Sequence, residues 1–122
     1  MKRFVLVATL LLSLFALNSC KEDRFGWANR VEFSAQGGVK EIEGDTGIYT
    51  LSIGNYDGEE NSAVEVAGIM TANFDWLTAS AVKNTNEIVL TAEPNNTGKD
   101  RKLYVYASVD NRFIDITVIQ KK

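Results

Sequence analysis

Hydrophobic and polar positions divide this chain into two unlike parts. From Phe4 to Leu17 the residues are apolar apart from Thr9 and Ser13, and the run stops at Asn18-Ser19, ahead of the cluster Lys21-Glu22-Asp23-Arg24. Beyond the cluster, apolar and β-branched residues come in short, often alternating runs separated by Gly, Asn and Asp. These runs are Val31-Phe33, Val39-Glu43, Ile48-Ile53, Ala63-Ile69, Trp76-Ala79, Glu87-Ala92, Leu103-Ser108 and Phe113-Gln120. A period of two is that of a strand half buried against a core. Seven or eight such runs with no helical stretch predict an all-β sandwich of mainly antiparallel strands. Alternation also assigns inward faces: Tyr49, Leu51 and Ile53 together, then Ile88, Leu90 and Ala92, then Leu103 and Val105, then Ile114, Ile116 and Val118. Gly37-Gly38, Gly44-Asp45-Thr46-Gly47, Asp57-Gly58 and Asn95-Asn96-Thr97-Gly98 mark the turns, where positive φ is cheap.

The first part has the layout of a secretory signal peptide: Lys2 and Arg3, then the apolar run, then the small residue Ser19. A membrane-spanning helix needs about 18 or more consecutive apolar residues, and this run is shorter. Leu17-Asn18-Ser19-Cys20 resembles the lipobox of bacterial lipoproteins. That resemblance implies removal of residues 1–19, a diacylglyceryl group on the Cys20 thiol and acylation, by palmitate for example, of its new amino group. Two or more acyl chains anchor a protein stably, since each buried methylene adds about 0.8 kcal/mol. Lys21-Glu22-Asp23 in turn resembles the signal that carries lipoproteins of the Bacteroidetes group to the cell surface. The expected location is the outer membrane, facing the exterior. Residues 20–29 then form a tether reaching at most ~30 Å, and residues 30–122 the domain. Trp27 is expected to pack against the start of that domain.

Composition narrows the chemistry. Without residues 1–19, 103 of the 122 residues remain, enough for one domain. Losing Lys2 and Arg3 leaves 11 basic residues against 16 acidic, a net charge of −5, which argues against nucleic acid as a partner. Cys20 is the single cysteine and there is no histidine. Ser-His-Asp and Cys-His nucleophiles and zinc sites of the usual His/Cys type are therefore absent, and no cofactor is implied.

Four candidate sites remain. Asp45-Thr46-Gly47 matches the triplet of aspartic proteases, which need two carboxylates sharing a proton. Here Glu43-Gly44 precedes it in place of an apolar strand, and a hairpin turn between Glu43 and Ile48 explains the same residues. Asp57, Glu59, Glu60 and Asn61 lack the glycine and glutamate spacing of an EF-hand and read as a solvated hairpin tip. Trp76 belongs to the core, and Arg101 either orders a turn by hydrogen bonding or closes an ion pair. Tyr104 and Tyr106 project from the face opposite Leu103 and Val105, where two aromatics could stack on sugar rings or pair across strands with Phe113 or Asp115.

Phe33-Ser34-Ala35 with Gly37-Gly38, Trp76-Leu77-Thr78, Ile88-Val89-Leu90 leading to Pro94-Asn95 and Arg101, and Ile116-Thr117-Val118-Ile119-Gln120 together resemble the BACON domain. That family is the Bacteroidetes-associated carbohydrate-binding domain, and the resemblance implies an immunoglobulin-like β-sandwich over most of Glu32 to Gln120. The combined expectation is a non-enzymatic, lipid-anchored envelope protein whose one domain binds glycan at Tyr104 and Tyr106. The alternative is a structural or assembly subunit that docks on another envelope protein.

Overall fold

The computed structural model describes residues 25–122. The leader, Cys20 and Lys21-Glu22-Asp23 lie outside the described residues.

Ten strands follow one another: β1 (Arg30–Phe33), β2 (Gly38–Glu43), β3 (Thr50–Gly54), β4 (Glu60–Ser62), β5 (Val64–Val66), β6 (Ile69–Phe74), β7 (Leu77–Val82), β8 (Glu87–Ala92), β9 (Arg101–Val109) and β10 (Arg112–Gln120). They pair into two five-stranded sheets, β1-β10-β9-β3-β4 and β2-β8-β7-β6-β5. Neighbours run antiparallel except β1 and β10, which are parallel with Arg30 opposite Thr117. The expected all-β sandwich is thus present, with two more strands than its upper bound of eight.

Alternation placed the core correctly wherever a residue sits inside a pleat. Leu51, Ile53, Ile88, Leu90, Ala92, Leu103, Val105, Ile114, Ile116 and Val118 are all buried between the sheets. Tyr49 is the exception. β3 begins only at Thr50, and Tyr49 lies in the bend before it, 44% exposed, so the strand's parity does not apply to it. Trp76 is buried as expected.

The two unexpected strands have separate causes. Glu60–Ser62 is wholly polar and carries no alternation; it is a strand because its backbone pairs with Ser52–Gly54. The run read as Ala63-Ile69 is broken in two by a hairpin turn at Ala67 and Gly68, with φ of 52° and 82°. Two positive φ values at a two-residue turn normally draw Asn-Gly or Asp-Gly, so Ala67 conceals the turn. A Cβ-bearing residue held in this conformation costs about 1–2 kcal/mol, and asparagine tolerates it better. Ala67→Asn is therefore expected to raise the thermal midpoint by about 4 °C or more, measured by circular dichroism. A lowered midpoint would count against strain at this turn.

Gly44-Asp45-Thr46-Gly47 joins β2 in one sheet to β3 in the other, so it is an inter-sheet connection and not the expected hairpin turn. Close approach explains its first glycine: a Cβ on Gly44 would lie 2.2 Å from the Trp27 ring. Trp27 itself is 1% exposed, and its indole N–H donates to the Thr46 carbonyl at 3.3 Å. The Asp45 amide donates to the Phe25 carbonyl at 2.8 Å, and the Thr117 amide to that of Asn29 at 2.9 Å. Residues 25–29, expected in the tether, are therefore part of the folded domain.

Candidate functional site

The outer face of the β1-β10-β9-β3-β4 sheet carries the tyrosine pair. β9 alternates strictly, so with Leu103 and Val105 buried, Tyr104 and Tyr106 point outward. Tyr104 stands between Thr117 of β10 and Gly54 of β3, and Tyr106 between Asp115 and Ser52. Their ring centroids are 6.4 Å apart and the ring planes differ by 26°. Gly54 lets the second ring lie low over β3: a Cβ there would be 3.1 Å from a carbon of the Tyr106 ring and 2.9 Å from the Glu59 carbonyl oxygen. Burial, with Glu60, Asp115 and Tyr104 nearby, pushes the Tyr106 hydroxyl up from its ordinary pKa.

Tyr106 forms one wall of an open groove of about 470 Å³. Tyr49 and Phe113 add two further rings, and Glu60 and Glu65 two carboxylates. Phe113 is 69% exposed at the start of β10. Part of the lining comes from Leu51, Ala63 and Met70, where the chain leaves β4 in one sheet for β5 in the other. The Ala63 amide donates to the Leu51 carbonyl at 2.9 Å and holds that crossing in place.

The polar groups here are held rather than free. Ser52 donates its hydroxyl proton to Glu60 Oε2 at 2.5 Å, and Thr50 donates to Ser108 Oγ at 2.7 Å. Glu65 is paired with Lys83 at 3.5 Å. Such a surface offers flat apolar faces next to fixed hydrogen-bond acceptors, the usual composition of a small-ligand site.

Of the two tyrosines singled out from sequence, Tyr106 lines the groove and Tyr104 stands beside it. Tyr49, Glu60, Glu65 and Phe113 were not foreseen as members. Phe113 did leave a signal, since it shares parity with Asp115 and Thr117, opposite the buried Ile114, Ile116 and Val118. An outward Phe in a polar row is an anomaly worth following. Tyr49 left none, because alternation put it inside.

The remaining candidates are structural. Asn55 and Glu59 tie the acidic hairpin tip through the Asn55 Nδ2 donation to Glu59 Oε1 at 2.7 Å and the Glu59 amide donation to Asn55 Oδ1 at 3.0 Å. Among the described residues no three acidic side chains gather as metal ligands. Arg101 orders a turn as expected, donating to the Pro94 carbonyl at 3.1 Å and to Gln120 Oε1 at 2.9 Å while lying 4.8 Å over the Trp76 ring. A separate apolar row, Val64, Val66, Ile69 and Val82, is exposed along the β5-β6-β7 edge of the other sheet.

The chain is thus an all-β sandwich with an open, aromatic-lined groove on one edge. No family model matches it. No curated protein matches it either. Two solved structures share its fold. One is a protein from Bacteroides thetaiotaomicron determined by NMR, 15% identical, with a TM-score of 0.52 over 82% of this chain and 79% of that one. The other is a Bacteroides ovatus GH5 xyloglucanase in complex with a XXXG heptasaccharide, 22% identical, with a TM-score of 0.50 over 76% of this chain. This chain spans 17% of the length of the xyloglucanase.

Proposed function

We propose that this protein is a non-enzymatic, lipid-anchored envelope protein whose BACON-like sandwich binds glycan in the groove beside Tyr106. The single observation that carries this reading is the convergence of Tyr49, Tyr106 and Phe113 on one groove with the Ser52-bonded Glu60 carboxylate. Aromatic faces accept the C–H side of a sugar ring, and a fixed carboxylate accepts from its hydroxyls. Similarity in fold to a region of a xyloglucanase is compatible with this reading.

The test is a glycan array followed by calorimetry on any glycan that binds. Tyr106→Ala with Phe113→Ala is expected to weaken binding by about fivefold to 150-fold, because each lost ring contact is worth about 0.5–1.5 kcal/mol. Tyr104→Ala alone should change it far less. Equal loss at both positions, or no loss in the double variant, would remove the groove as the site.

Anchoring at Cys20 and display through Lys21-Glu22-Asp23 complete the proposal. Labelled palmitate should enter the wild-type chain and not Cys20→Ser, and protease applied to intact cells should digest the protein. Survival until lysis would place it facing inward.

The second reading, docking on an envelope protein, has one observation in its favour. Val64 and Val66, both 68% exposed, stand on an edge strand beside Ile69 and Val82. Edge strands with outward apolar residues invite pairing by another chain. If docking is the function, Val66→Lys should abolish crosslinking to neighbours in whole cells and leave glycan binding intact.

A further inference from the structure

We infer that the groove selects glycans that carry no acidic group and discriminates against uronic, sialylated or sulfated ones. This rests on the glycan reading above and narrows its ligand class.

Ring stacking cannot supply that choice, because Tyr49, Tyr106 and Phe113 present hydrocarbon faces that meet a neutral sugar and its acid counterpart alike. The charged groups decide. Among the described residues, every ionisable side chain lining the groove, apart from Tyr49 and Tyr106, is a carboxylate, Glu60 or Glu65. Asp115 stands directly opposite Tyr106 in the neighbouring strand β10 and adds a third negative charge at its margin.

Among the described residues, no lysine or arginine lines the groove. The basic residues closest in the chain are turned to other tasks. Lys83 is held 3.5 Å from Glu65, and Arg112, next to Phe113, lies 5.7 Å over the Phe25 ring. The Glu60 carboxylate is hydrogen-bonded by Ser52, which holds it toward the groove. Neutral hydroxyls can donate to it, whereas a sugar carboxylate or sulfate brought to the same oxygen faces like charge. Such juxtaposition penalises the wrong ligand more than it rewards the right one. For a groove open to solvent the expected discrimination is about tenfold to a hundredfold at low salt, shrinking as salt screens it.

The test uses the mature chain, kept soluble by Cys20→Ser, on an array of neutral, uronic, sialylated and sulfated glycans. The array includes matched pairs such as β-1,4-mannohexaose with β-1,4-mannuronohexaose. Three proteins are compared: the otherwise unaltered chain, Tyr106→Ala with Phe113→Ala, and Glu60→Gln with Glu65→Gln. Circular dichroism confirms that each is folded.

Binding to neutral members alone, lost without the two rings, supports the inference. So does a gain for acidic members of at least tenfold relative to neutral ones in the double Gln variant. Acidic glycans bound as tightly as their neutral counterparts, and lost without the rings, would overturn the charge selection while the glycan reading stands. A blank array, or binding that survives loss of both rings, overturns the glycan reading and the inference with it.

Discussion

Trp27→Ala is expected to lower the stability of the domain by about 3–5 kcal/mol, the usual cost of deleting a large buried aromatic. In a domain of this size that corresponds to a fall in the thermal midpoint of more than about 12 °C. Trp27 is 1% exposed and belongs to the main core cluster. Its ring lies against Gly44, which has no side chain to fill the space it would leave. Trp27→Phe, which keeps part of the ring volume and loses the indole donation to Thr46, should cost markedly less. A fragment starting at Arg30 loses the same contact and should be as unstable as Trp27→Ala. Thermal unfolding of these three proteins beside the whole chain decides the matter, and a fragment as stable as the whole chain would show that residues 25–29 add nothing to the fold.

The second large effect is expected at Gln120. Its side chain is fully buried and makes three hydrogen bonds at the end of β10. Nε2 donates to the Ser34 carbonyl at 3.0 Å and to the Glu93 carbonyl at 2.7 Å, while Oε1 accepts from Arg101 Nε at 2.9 Å. One residue thereby ties the β1-β2 connection to the β8-β9 connection and holds Arg101 over Trp76. Gln120→Leu preserves the size of the side chain and removes every bond. The Ser34 carbonyl keeps the Gly37 amide as a donor, so the cost is that of the lost bonds, two neutral at about 0.5–1.5 kcal/mol each and one charged at about 1.5–3 kcal/mol, a total of about 2.5–6 kcal/mol. A double-mutant cycle with Arg101→Met should show a coupling of about 0.5–3 kcal/mol between the two residues. Additive effects would mean that the contact between Arg101 and Gln120 is not energetically shared.

Gln120 also illustrates what a residue pattern conveys without its partners. The closing run Ile116-Thr117-Val118-Ile119-Gln120 reads as a strand, and its parity places Gln120 inward with Ile116 and Val118. Nothing local says which groups a buried glutamine meets. Its two acceptors lie 86 and 27 residues away in the chain. The same limit explains Trp27. Its burial was foreseen, yet the surface it packs on, Gly44 and Thr46, sits in a segment whose glycines read equally well as a hairpin.

Charge and composition spoke only by exclusion. The missing histidine and the single Cys20 removed whole classes of chemistry, and no arrangement of the fold could restore them. They did not point to a groove, because Tyr49, Glu60, Glu65, Tyr106 and Phe113 come from five separate stretches of chain.

By itself, then, the sequence determined the all-β class, most of the inward faces and the outward pair Tyr104 and Tyr106. These follow from a period of two, a property of adjacent residues that any pleated strand expresses. Tertiary structure alone decided that polar Glu60–Ser62 forms a strand, that Ala63 carries the chain from one sheet to the other, and that three rings and two carboxylates meet there. The reason is physical: pairing partners and sheet crossings are set by contacts between segments distant in the chain, and alternation within one segment is blind to them.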